Sequence, residues 1–218
     1  VTNRTLNQTQ AETAERSGFS PGGSIATNGS PASRFLTTTR GRIAAVALGS
    51  LFVALSAQVA VPLPWTPVPM TMQPFGVLVV ALLLGPWLGA AALAAYLLEG
   101  AAGLPVFVPG FGGLLPLGAS AGYLLSYPMV AAVAGWLYGR RGGFARALGA
   151  AAVGSALILI SGASWLALVT HSSAAVAFRL GVLPFAGGDA VKVVLAATVA
   201  AGFARRFRFD RVDMKPDA

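Results

Sequence analysis

A chain of 218 residues that is 56% hydrophobic and only 10% charged, with a mean hydropathy of +0.72, is far more apolar than a water-soluble domain of this size needs. Its apolar runs are about 20 residues long, the length of a membrane-crossing helix, and the alternating ~10-residue strands of an outer-membrane barrel are not visible; the expected class is an all-α integral membrane protein. With no Cys and the single His171, a disulfide framework and thiolate or His-rich metal sites are excluded, so neither metal nor cofactor is expected.

Residues 1–39 are rich in Thr, Ser, Asn, Gly and Gln and show no basic start followed by an apolar core, so they do not read as a signal peptide. Such a composition buries too little apolar surface to offset the entropy of ordering. A disordered cytoplasmic tail is expected there, followed by a transmembrane domain at 40–207 and a second cytoplasmic tail at 208–218.

The first span is Ile43 to Val61, "IAAVALGSLFVALSAQVAV", 19 residues. At 1.5 Å per residue it covers about 28 Å, close to the ~30 Å of a hydrocarbon core. Its small residues recur at four-residue spacing, Ala45 with Gly49 and Ser50 with Ala54. Such faces serve close helix packing, either inside the chain or against a partner. The following "PLPWTPVPMTMQPF" has prolines at 62, 64, 67, 69 and 74, which rule out a continuous helix and favour an extended or folded-back loop.

In "GVLVVALLLGPWLGAAALAAYLLEGAAG", Gly85-Pro86 reads as either a kink or a turn between two short helices. Charge decides for the turn. With a turn there are six spans, about 43–61, 70–84, 86–102, 119–138, 144–170 and 189–204, and both termini lie on one side. That side then holds Arg34, Arg40, Arg42, Arg140, Arg141, Arg146, Arg205, Arg206, Arg208, Arg211 and Lys215, while the opposite loops hold only Arg179. With a mere kink the Arg140 cluster moves across, against the positive-inside rule. Six spans with cytoplasmic termini follow, and the net charge of +8 is accounted for by flanks facing anionic lipid rather than by nucleic acid.

The outer connections are irregular and nearly uncharged. "GAAGLPVFVPGFGGLLPLGASAGY" is apolar enough to be expected buried or folded into a cavity. "HSSAAVAFRLGVLPFAGG" has an amphipathic stretch near Ala174 to Leu180 suited to the membrane surface.

Three ionisable residues in or beside the spans are unexplained by flanking charge: Glu99, Asp189 and Lys192. Intramembrane charges are costly and point to function. Asp189 after Gly187-Gly188 is expected to be a helix N-cap, with or without a ligand. Lys192 would then sit in the first turn, where the helix dipole disfavours a cation. An ion pair with Asp189 three residues earlier, snorkelling, or a bound anion each answers that. In the last case lysine takes a carboxylate and aspartate accepts N–H donors. Gln73, on the proline-rich loop, offers both a donor and an acceptor. Tyr96, Tyr123 and Trp65 offer apolar walls with polar tips, or serve as packing aromatics. Glu99 either reaches the surface or meets ligand. Paired carboxylates and a phosphate loop are missing, so an intramembrane hydrolase would have to rely on Ser164 and His171, and the chain is expected to bind rather than react.

From about Arg42 to Arg206 the chain resembles the BioY family, the biotin-specific substrate-binding component of energy-coupling-factor (ECF) transporters. The resemblance rests on "PVPMTMQPFGVLVVALLLGPWLGA", "GAAGLPVFVPGFGGLLPLGASAGYLLSYP" and "GVLPFAGGDAVKVVLAA", in that order. It implies a six-helix protein of the bacterial cytoplasmic membrane that captures biotin from outside and is not itself an enzyme. Its implied partners are a transmembrane coupling protein, met by the small-residue face of Ala45, Gly49, Ser50 and Ala54, and two cytoplasmic ATPases. Asp189 and Lys192 correspond to the family's polar biotin contacts; Gln73, and Tyr123 with the glycines near Gly110 to Gly113, fall in the other two motifs. A component for another small vitamin-like carboxylate, or a purely structural helix bundle, are the alternatives.

Overall fold

The computed structural model describes residues 38–108, 118–139 and 142–206. The expected N-terminal tail apart from residues 38 and 39, the expected C-terminal tail at 208–218, and the glycines near Gly110 to Gly113 lie outside the described residues. Helix α1 (Thr39–Gln58) starts earlier than its apolar run because the Thr38 hydroxyl caps it, accepting from the Gly41 N–H at 3.1 Å. The proline-rich loop folds back on itself: β1 (Ala60–Val61) pairs antiparallel with β2 (Met70–Thr71), Ala60 opposite Thr71. Pro62, Pro64, Pro67 and Pro69 occupy the excursion between them, where no ladder N–H is required.

Helix α2 (Gln73–Ala101) is interrupted at Gly85, whose φ of 78° and ψ of −173° belong to a region open essentially to glycine. The interruption is a reversal. A Cβ on Gly89 would lie 3.4 Å from the Ala81 Cα, whereas residues eight apart on a straight helix are about 12 Å apart. Residues 73–84 and 86–101 are therefore two helical arms side by side, as the charge pattern requires. Gly135 on the next helix sits in the bend, where a Cβ would approach the Gly85 carbonyl carbon to 2.6 Å.

Helices α3 (Ala121–Tyr138), α4 (Phe144–Val169), α5 (Ala174–Gly181) and α6 (Leu183–Arg206) complete the described bundle. Its two ends are identified by contacts. At one, Gly85 meets Gly135, Tyr138 Oη donates to the Ala200 carbonyl at 3.4 Å, and Gly142 faces Ala204. At the other, Thr66 Oγ1 donates to the Leu180 carbonyl at 2.8 Å and Trp165 Nε1 to the Gly118 carbonyl at 3.0 Å. One core gathers Val53, Leu93, Tyr96, Tyr127, Val130 and Ile158; a second packs Leu78 and Leu82 against alanines of α4 and α6.

The outward faces are apolar too, with Leu48, Trp87, Trp136, Ile160 and Leu168 all exposed, the inverse of a soluble surface and what hydrocarbon solvates. Four helices among the described residues are long and apolar enough to cross a membrane: α1, α2, α4 and α6, the last over Leu183–Arg205.

The small-residue face of α1 is turned inward. Ala45, Gly49, Ser50 and Ala54 are all buried, and a Cβ on Gly49 would meet Ala92 Cβ at 3.0 Å. Of the two uses such a face serves, the structure shows internal packing, since the second arm of α2 fills the groove that small side chains leave. The exposed side of α1 is instead Ile43, Leu48, Leu51 and Leu55.

Candidate functional site

A cavity opens at the end of the bundle away from Gly85, with an empty volume of about 690 Å³ that includes the open space at its mouth. Its roof is Val68, Pro69 and Thr71 of the folded-back loop, and Phe107 and Val108 of the segment after α2. Its walls are Tyr123 and Tyr127 of α3, Ile158 and Leu159 of α4, and Phe185, Asp189 and Lys192 of α6, with Gln73 at the start of α2. The lining is thus largely apolar with a few placed polar groups.

Among the described residues, Asp189 and Lys192 are its only charged lining side chains. Both are buried, at 4% and 5% exposure, and Lys192 Nζ donates to Asp189 Oδ1 at 2.8 Å. Ser155 Oγ of α4, unremarked in the sequence, approaches the other carboxylate oxygen at 3.5 Å. The ammonium has three donors, and the pair uses one of them. Holding two charges at this depth costs desolvation that a single contact barely offsets. The ion-pair alternative is therefore realised, in a cavity wall.

Two expectations about this pair are corrected. Asp189 is not an N-cap: α6 begins at Leu183, with Pro184 in its first turn, and runs through Gly187 and Gly188. Lys192 is accordingly beyond the first turn, and the dipole argument for an anion no longer applies. The two glycines that look like a loop are helical, and Gly188 lies under the folded-back loop, with Met70 Sδ 3.4 Å from where its Cβ would be.

The other named residues divide. Gln73 is the first residue of α2 rather than a loop residue, is 5% exposed, and lines the cavity. Tyr123 lines it as well; its ring lies against Gly162, where a Cβ would fall 2.1 Å from ring carbon, and its hydroxyl donates to the Gly181 carbonyl at 2.6 Å. Tyr96 is fully buried behind the wall, bonded to Gln73. Glu99 accepts from Ser50 Oγ at 2.5 Å between α1 and α2, and Trp65 is exposed. Tyr127, buried at 2% exposure in the wall, is the aromatic the sequence reading missed; its spacing of four from Tyr123 puts both on one helix face.

Beside this cavity lies an apolar groove between α4 and α5, lined by Ile160, Ala163, Ala167, Ala177 and Phe178 among others. Leu159 contributes to the lining of both spaces.

A model of the BioY family matches residues 29–209. The chain belongs to the BioY family. Among its relatives are the probable biotin transporter BioY of Pyrococcus horikoshii, 40% identical over 71% of this chain and 93% of that protein. The biotin transporter BioY of Thermotoga maritima is 36% identical over 68% of this chain and 86% of its own. In fold, the chain is similar to the crystal structure of the S-component for biotin from an ECF-type ABC transporter, with a TM-score of 0.70 at 23% identity, covering 77% of this chain and 94% of that one. This BioY chain is thus a multi-pass membrane protein.

Proposed function

We propose that this chain captures biotin for uptake, as the substrate-binding component of an ECF transporter. The observation that carries the reading is a buried Asp189–Lys192 pair in the wall of an apolar cavity, in a chain of the BioY family. Biotin has a carboxylate, an apolar sulfur-containing ring and a ureido group with two N–H donors and a carbonyl. A mostly apolar pocket bearing one cation and one acceptor complements these groups. On binding, ligand contacts replace part of the attraction within the pair, and the remaining donors of Lys192 are satisfied.

Helix α1, the two arms of α2, and helices α3, α4 and α6 are read as six membrane crossings. Arg40, Arg42, Arg146 and Arg205 then lie at the Gly85 end, which the positive-inside rule makes cytoplasmic. The cavity opens on the outer face, where a scarce vitamin arrives. The chain is a binding subunit; a transmembrane coupling protein and two ATPases supply the energy for release inward.

The full chain in lipid nanodiscs is expected to bind biotin, with desthiobiotin competing and thiamine not. Asp189→Asn and Lys192→Met are each expected to weaken binding roughly tenfold or more, the scale of a lost charge-assisted hydrogen bond. Unchanged affinity in both variants rules out this site, and preference for a different carboxylate redirects the reading to another vitamin.

A further inference from the structure

The side chain of Gln73 is held from both ends in one polar string. Its backbone N–H donates to Thr71 Oγ1 at 3.2 Å, and Thr71 Oγ1 donates to Gln73 Oε1 at 3.1 Å. Gln73 Nε2 donates to Tyr96 Oη at 2.7 Å, and Tyr96 Oη donates to the Val106 carbonyl at 3.1 Å. Each end of the string is a backbone group that cannot reverse its role. An N–H only donates and a carbonyl only accepts. The single proton of the Tyr96 hydroxyl is committed to Val106, so this hydroxyl meets Gln73 as an acceptor, and the nitrogen of the amide must face it. The Thr71 proton is likewise committed to Oε1. A flip of the amide would set N–H against the Thr71 O–H and oxygen against a hydroxyl whose proton points elsewhere.

We infer that Tyr96, which does not line the cavity, is a positioning residue for ligand recognition: it fixes the orientation of the Gln73 amide so that one N–H and one Oε1 lone pair remain for the ligand. The inference rests on the biotin-binding reading above. It also gives Tyr96 a second duty. The Tyr96 ring meets Phe107 edge-on, with centroids 5.3 Å apart, and Phe107 is part of the roof. Tyr96 therefore joins the segment after α2 to the residue that starts α2, which lies 23 positions before it.

The test is a double-mutant cycle on the full chain in nanodiscs, using biotin titration and thermal unfolding. Tyr96→Phe removes one oxygen and keeps the ring. It is expected to weaken biotin binding about 3- to 10-fold, the scale of one ligand hydrogen bond lost when the amide is no longer held. In a Gln73→Leu background the same change is expected to have no further effect on affinity, because the amide it orients is gone. Equal losses in both backgrounds overturn the inference in favour of a general structural role, as does an unaltered affinity in Tyr96→Phe alone. The side-chain amide signals of Gln73, assigned by their absence in Gln73→Leu, give a reading that needs no ligand. Tyr96→Phe should shift them and accelerate their hydrogen exchange; signals unmoved by the change overturn the inference. If the unsubstituted chain fails to bind biotin, the function proposed above falls while these signals still decide the role of Tyr96.

Discussion

Asp189 and Lys192 are close enough to stabilise one another and buried enough to cost heavily if separated. Removing either partner leaves a lone charge in a low-dielectric wall, a penalty of about 3–5 kcal/mol, so a single substitution confounds lost recognition with lost stability. The double variant Asp189→Asn with Lys192→Met separates them. Its melting temperature is expected to recover to near that of the unsubstituted chain, because no unpaired charge remains, while biotin affinity stays low. Recovery of both, measured by thermal shift and titration, would mean that the pair is only structural. The pair itself was legible in the sequence, since a three-residue spacing puts both side chains on one helix face. Its setting was not. The GGD stretch resembles a helix start, yet the helix begins four residues before Gly187 and runs on through both glycines, with Gly188 facing Met70, a contact remote in sequence.

The reversal at Gly85 is the element on which the bundle turns. Gly85 supplies the backbone conformation, Pro86 disfavours helical continuation before it, and Gly135 leaves room for the bend. Gly135→Ala would press a methyl group into the backbone of residues 81–86 and is expected to lower stability by about 1–3 kcal/mol, as overpacking does. Gly149→Ala, on α4 with nothing within 4 Å of the new carbon, is the control and is expected to be neutral or stabilising by up to ~1 kcal/mol. Thermal unfolding of the two variants side by side checks the difference; equal effects contradict the bend geometry. That this segment reverses was readable from Gly-Pro and the arginines around it. What the reversal brings together was not: Gln73 meets Tyr96, and Gly49 meets Ala92, through pairings that no local pattern encodes. The small-residue spacing of α1 accordingly announced close packing without naming the partner, which proves to be the second arm of α2.

At the scale of the molecule, the proposed six crossings and their direction rest on apolar length and charge asymmetry, both of which act through bulk solvation rather than specific contact. The absence of cysteine makes the topology simple to check, because each introduced thiol is the only one in the chain. Cysteines at Trp65 and His171 are expected to react with an impermeant maleimide on intact cells, and cysteines at Gly142 and Arg205 only after permeabilisation. The opposite labelling pattern would invert the chain in the membrane. The position of the cavity within this frame gives one side chain unusual reach. Leu159 belongs both to the ligand cavity and to the apolar groove between α4 and α5. A ligand in the cavity and the medium in the groove would thus touch opposite sides of one side chain, so what fills the groove bears on the rotamers open to Leu159. An affinity measured in a detergent micelle is then expected to differ from one measured in a bilayer, and Leu159→Ala to alter that difference.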